Sequence, residues 1–174
     1  MKNKTLEQLI NKKDFYYVNE NLTTANFPAP EKIQTENWKI IKIDRTMTSE
    51  EVLAKIKSEG CRPANVYELA TWFNSNKEKI EKGTWLVALG QTAKIGGYRG
   101  VPNVNRNSDG DFKFNLGHFE GDWGDDDCLL CFCDSSTLPL STSEESSLTL
   151  ESAIAICKAN GLKVVRTVTK EEIL

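Results

Sequence analysis

Val101-Pro-Asn-Val-Asn-Arg-Asn-Ser-Asp-Gly-Asp-Phe-Lys-Phe-Asn-Leu116 is the stretch that sets the fold class. Two strand-like segments, 101–106 and 112–116, flank Asn107-Ser-Asp-Gly-Asp111. The Asp109-Gly110 pair is a strong hairpin signal, because glycine supplies the positive φ of a tight turn between antiparallel strands. Upstream, Thr84-Trp-Leu-Val-Ala-Leu89 is a continuous apolar run of strand length that reads as buried on both faces. Downstream, Leu129 to Cys133 reads as another short buried strand. Successive strands joined by short turns predict an α+β protein, with an antiparallel sheet of about five or six strands and three or four helices gathered mainly before it.

The helices are signalled by their starts. Thr5-Leu-Glu-Gln8 has the form of a capping box and opens a short helix to about Lys12, after which Phe15-Tyr-Tyr-Val18 reads as a brief strand. Residues 19–37 hold Pro28 and Pro30 with no clear period and read as a surface loop. Trp38 to Asp44 alternates, with Ile41 and Ile43 on one face and Trp38 and Ile40 on the other, and is expected in the centre of the sheet. Thr48-Ser-Glu-Glu51 starts a second helix, carrying Val52, Leu53 and Ile56 and closed by Gly60. Asn65-Val-Tyr-Glu68 starts a third, through about Asn74, whose Val66, Leu69, Ala70 and Phe73 form a core-facing stripe. Nine of the fifteen residues 135–149 are serine or threonine, the composition of a connector or surface loop. A last helix over 149–161 and a strand over 163–168 follow it. The 174 residues suit one domain, 1–174, large enough to bury a core.

Charge is distributed unevenly. Residues 107–151 hold eleven carboxylates and one base, Lys113, a net −10 that leaves +7 for the rest of a chain whose total is −3. An acidic patch repels phosphates, and the +4 over residues 61–106 lacks an arginine-rich run, so no nucleic-acid partner is expected. No apolar run approaches the roughly 20 residues that span a bilayer, and the start lacks the apolar core of a signal peptide, so no membrane partner and a cytoplasmic location are expected. Five cysteines, three of them at 128, 131 and 133, do not form a spread framework of bridges, and reduced thiols are the default.

The chemistry is concentrated in His118-Phe-Glu-Gly-Asp-Trp-Gly-Asp-Asp-Asp-Cys-Leu-Leu-Cys-Phe-Cys133. Cys128-x-x-Cys131-x-Cys133 has metal-ligand spacing, and His118, Cys61 or Cys157 would supply a fourth zinc ligand. Against that, the cysteines alternate with Leu130 and Phe132, which puts Cys131 and Cys133 on one side of a strand and Cys128 on the other, as packing requires. Asn105-x-Asn107-x-Asp109-Gly110-Asp111 imitates a calcium loop, but its first position is Asn and its twelfth is Leu116 where a bidentate Glu belongs, so a hairpin turn is the better reading. Asp125, Asp126 and Asp127 repel one another unless solvated or met by a cation, which makes the loop either a solvated connection or a docking patch. His118 is the sole histidine and has no serine elbow near it.

Leu86-Val-Ala-Leu-Gly90, Val101-Pro-Asn103 and Trp123-Gly-Asp-Asp-Asp-Cys128 with Cys133 stand in the order of an apolar-Leu-Gly strand, a Glu-Pro-Asn turn and a Trp-Asn-Asp-x-x-Cys strand. In this, residues 60–133 resemble C-type lectin-like domains. Gly60-Cys-Arg-Pro-Ala-Asn-Val-Tyr-Glu-Leu69 likewise resembles the Gly-Arg-Leu-Pro-Thr-x-x-Glu helix entry of bacterial relatives of that fold, of the formylglycine-generating and variable-protein type. Val101 stands where the family's calcium-binding Glu would be, Gly124 where Asn would be, and the family's disulfide partners are not in place. The resemblance implies a scaffold that binds a ligand or a protein.

With no arrangement of nucleophile, base and oxyanion donors, a binding or interaction module is expected rather than an enzyme. Asp122, Trp123, Asp125, Asp126 and Asp127 would meet a basic protein or a small ligand, with no cofactor needed. The alternative is a metal-dependent enzyme or metal-binding protein using segment 118–133, in which His118, Cys128, Asp125 and Asp127 would hold calcium or zinc.

Overall fold

Capping side chains fix where each helix of the computed structural model begins, and the structure describes residues 4–133. The expected connector at 135–149, and the helix and strand after it, lie outside the described residues. Helix α1 (Leu6–Leu9) is entered through Thr5, whose N–H donates to Gln8 Oε1 at 3.0 Å. It stops short of Lys12 because Asn11 starts a separate 3-10 turn, Lys12–Asp14, that feeds strand β1 (Phe15–Val18). Strands β2 (Trp38–Lys42) and β3 (Met47–Thr48) precede α2 (Ser49–Ser58), where Thr48 Oγ1 accepts from Glu51 N–H and Glu51 accepts in return from Thr48 N–H. Strand β4 (Cys61–Pro63) leads into α3 (Val66–Asn76). The remaining strands are β5 (Thr84–Val87), β6 (Ala93–Ile95), β7 (Tyr98–Arg106), β8 (Phe112–His118), β9 (Asp122–Trp123) and β10 (Asp127–Cys133).

Eight of these strands make one sheet in the order β1-β8-β7-β5-β10-β2, with β4 also on β10 and β6 also on β7, while β3 and β9 pair separately. The class is α+β, but the sheet is larger than expected and mixed rather than antiparallel, since β1 runs parallel to β8 and β5 parallel to β10. Turn residues announce pairings between neighbours in sequence. These two parallel pairs join segments far apart in the chain, and β4 and β6 are too short to carry a pattern. Strand β2 is at the end of the sheet rather than at its centre. Its two apolar faces arise because both sides of the sheet are covered there, which is independent of how many neighbours flank it.

The β7–β8 hairpin follows the sequence reading. Asn107 Oδ1 accepts from the N–H groups of Gly110 and Asp111, both at 2.8 Å, and Gly110 takes a φ of 104° that a side chain would resist. Strand β10 is buried on both faces, and alternation divides it as expected. Cys128, Leu130 and Phe132 join the cluster that includes Leu6, Phe27, Tyr67, Phe73 and Phe114, under α1 and α3. Leu129 and Cys131 join Ile41, Val52, Ile56, Val87 and Trp123, under α2.

Two features hold β4 in place. Cys61 and Cys133 face each other in the β4–β10 register and form a disulfide, which corrects the expectation that all thiols are reduced. They stand 72 positions apart in sequence, so only the sheet register brings the pair together. Cys128 and Cys131 stay free and buried. The second feature is Glu68, fully buried at the start of α3, where it accepts from Asn65 N–H, from Gln34 N–H and from both Arg62 Nη atoms at 2.9 and 2.6 Å. The Gly-x-Arg-Pro-x-x-x-x-Glu pattern of residues 60–68 thus closes a bidentate ion pair, buried on its Glu68 side and exposed on its Arg62 side, around a helix cap.

Candidate functional site

Strand alternation decides what β7 offers on each side. Val104 points into the cluster beneath α3, so Asn103 and Asn105 fall on the opposite face together with Val101. In the neighbouring strands Asn103 stands opposite Asn115 of β8 and Val87 of β5, Gly117 opposite Val101, and Asp127 opposite Trp85. This end of the sheet therefore presents asparagine, glycine and a carboxylate where the other face presents Phe114, Leu116, Leu86 and Cys128. Polar residues there cannot merge into a core, and a hollow of about 370 Å³ lies over them.

Segment 119–127 closes that hollow. Trp123 is 6% exposed, and its Nε1 donates at 2.8 Å to Ser49 Oγ, which is itself buried and donates to the Phe119 carbonyl at 2.6 Å. The ring is thus locked to the first residue of α2. It lies close against β8 at Gly117; a Cβ there would stand 3.2 Å from Trp123 Cη2 and 3.1 Å from Asn103 Nδ2, and would push the two side chains back by a few tenths of an ångström. Gly124 to Asp127 form a turn in which Asp127 N–H donates to the Gly124 carbonyl and Gly124 N–H donates to Asp127 Oδ2 at 2.8 Å. Trp85 N–H donates to the Asp126 carbonyl, tying the turn to β5.

Buried Asn103 and Trp123, with half-buried Asn115 and Trp85, form the inner lining, and exposed His118, Asp122 and Asp126 the rim. Half-buried Asp127 completes it. Burial raises the Asp127 carboxyl above the ordinary aspartate range, against the pull of Gly124 N–H, and Asp126 and Asp125 push the same way. Asn103 is 3% exposed; its Nδ2 donates to the Val101 carbonyl at 3.3 Å, while its Oδ1 is buried with no hydrogen-bond partner. Asn115 Oδ1 accepts from Asn19 Nδ2 at 3.1 Å. No lysine or arginine lines the hollow.

Of the residues singled out by sequence, Asp122, Trp123, Asp126, Asp127 and His118 line this hollow, and Asp125 does not. Trp123, expected on a binding surface, is a wall held from behind rather than an exposed ring. The His118 ring stacks on Tyr98, centroids 3.9 Å apart. The set proposed for calcium or zinc is dispersed. Cys128 lies on the other face of the sheet, in a separate cleft of about 220 Å³ with Ile40, Leu86 and Lys42, because strand alternation turns it away from Asp127. Among the described residues no three His, Cys, Asp or Glu side chains gather closely enough to hold a metal ion. Asn115 and Trp85 were not among the site residues expected from sequence, and Asn103 entered only through the Val101-Pro-Asn103 run of the lectin-like resemblance. Their signal was available in Val101-x-Asn103-Val-Asn105, where polar and apolar residues alternate inside a strand whose partner also carries Asn115 and Gly117 at alternate positions.

The side chains lining the hollow offer hydrogen-bond acceptors from three carboxylates and two asparagines, and no lysine or arginine stands among them. No helix among the described residues is long and apolar enough to cross a membrane. Comparison with protein-family models, curated proteins and solved structures finds no match to this chain.

Proposed function

We propose that the protein is a binding module that takes a positively charged partner at the hollow beside Trp123. The observation that carries this reading is the lining itself: Asp122, Asp126 and Asp127 surround a concavity with an asparagine floor and no lysine or arginine. Asp126 and Asp125 oppose the charge on Asp127, and a cation relieves that repulsion while gaining hydrogen bonds. The likeness to C-type lectin-like domains supports the same place, since Asn103 of the Val-Pro-Asn run, here inside β7, and Asp126 and Asp127 of the Trp-Gly-Asp-Asp-Asp run line one hollow. The metal-dependent alternative draws no support from the donors, which stand apart.

Indole fluorescence supplies the test, because Trp85 and Trp123 both line the hollow. Titration with a short lysine- and arginine-rich peptide should give saturable binding that weakens between about 20 and 150 mM salt as screening shortens. A glutamate-rich peptide should not bind. The triple substitution Asp122→Asn, Asp126→Asn, Asp127→Asn should abolish the response, and equal binding by wild type and variant would sink the reading.

A further inference from the structure

The acceptors around the hollow are spread out, and that spacing narrows the chemistry of what enters. We infer that the group bound there is a guanidinium, presented either by an arginine side chain or by a small guanidino compound. This rests on the reading of the hollow as a cation-binding site and goes on to name the cation.

An inorganic ion needs several oxygens converging within about 2.0–2.6 Å of one point. Asp122, Asp126 and Asp127 do not converge in that way, for no metal-holding group exists among the described residues. A polyatomic cation that distributes its donors over several ångströms matches separated acceptors. Guanidinium carries five N–H donors in a rigid plane, whereas ammonium places its three donors around one nitrogen. The walls favour the planar ion as well, because guanidinium is weakly hydrated and stacks on aromatic faces, and Trp85 and Trp123 flank the space.

The floor adds an independent indication. Asn103 is more than nine-tenths buried in the lining, and its Oδ1 lacks a partner. A buried acceptor left unpaired costs free energy; the oxygen is closed to solvent in this structure, so an N–H donor would reach it as the lining yields on binding, restoring the lost bond. Its amide orientation is fixed by Nδ2, which donates to the Val101 carbonyl, so the oxygen is the atom left over. A neutral acceptor at the bottom and carboxylates at the rim suit a flat cation inserted edge-on, one edge to Asn103 and the other to the aspartates.

Calorimetry and amide NMR on the full chain test this with four probes: N-acetylargininamide, its neutral isostere N-acetylcitrullinamide, N-acetyllysinamide and the peptide Gly-Arg-Gly. The arginine amide should bind at least about tenfold more tightly than the citrulline amide, as expected for charge-assisted hydrogen bonds, and more tightly than the lysine amide. It should shift the Asn103 side-chain amide and the Trp85 and Trp123 indole signals. Asp126→Asn, at an exposed position, should weaken binding several-fold, and so should Asn103→Val, with folding of both checked by their NMR spectra. Gly-Arg-Gly binding more tightly than the free amide would assign the group to a protein partner, the reverse order to a small guanidino compound; either upholds the inference. Equal affinity for arginine and citrulline amides, or an Asn103 amide that shifts with none of the probes and is satisfied by an ordered water only, would overturn it. Aspartate-dependent binding of the basic peptide without any arginine preference would overturn this inference and leave the proposed function standing, whereas no aspartate-dependent cation binding would end both.

Discussion

Strands β7 and β8 present opposite chemistries on their two sides. Val104, Phe114 and Leu116 join an apolar cluster of 21 buried residues under α1 and α3, whereas Asn103, Asn115 and Gly117 of the same strands face a hollow. The apolar cluster on the second side has 12 buried residues, and it is this thinner side that carries the Cys61–Cys133 disulfide. One side therefore stabilises the sheet mainly by burial. The other gives up apolar surface to a polar cavity at one end of β10 and carries a covalent link at the strand's other end.

The largest expected effect is on the apolar side. Phe114 is fully buried, so Phe114→Ala should cost about 3–5 kcal/mol in urea unfolding, while Asn115→Ala directly beside it should cost less than about 1 kcal/mol. Comparable losses at the two positions would erase the contrast between the faces. Next comes the covalent link: reducing the disulfide, or replacing both cysteines with serine, should lower stability by about 2–4 kcal/mol, because the bridge restrains a long loop in the unfolded chain. Unfolding midpoints measured with and without reductant check this.

Smaller again is Gly117→Ala, expected to cost about 1–2 kcal/mol through the added methyl group's crowding of Asn103 and Trp123, and to weaken occupation of the hollow at the same time. Thermal unfolding together with the arginine-amide titration would separate the two consequences. The smallest concerns pH. Asp127 has its carboxyl raised by burial, so the folded state favours its protonated form, and ionisation at that site destabilises the fold as pH rises past the unfolded aspartate range of about 4. Asp127→Asn keeps an acceptor for Gly124 N–H and removes the charge. It should be at least as stable as wild type at pH 7, with the difference vanishing near pH 3; a variant less stable at pH 7 would show that the ionised carboxylate is required by the turn.

Local grammar was readable in the sequence wherever its cause was local. The capping residues Thr48 and Asn65, the Asp109-Gly110 turn and the two-sided burial of β10 depend on neighbours within a few positions, and each stands where those residues direct it. The parallel pairs β1–β8 and β5–β10, the outer place of β2 and the Cys61–Cys133 bond depend on register across the whole sheet, for which no single segment holds information. The acidic rim was visible because like charges adjacent in sequence are conspicuous. Its asparagine floor was not, since Asn103 and Asn115 become neighbours only when the hairpin closes.

The hydrogen bonds from Trp123 to Ser49, and from Ser49 to Phe119, give the hollow a mechanical connection to the rest of the molecule. A wall of the cavity hangs from the first turn of α2, so that turn and the cavity cannot loosen separately. Filling the cavity should therefore slow amide hydrogen exchange at Ser49 to Val52, and fraying of that helix end should open the cavity to water, although the helix contributes no side chain to its lining.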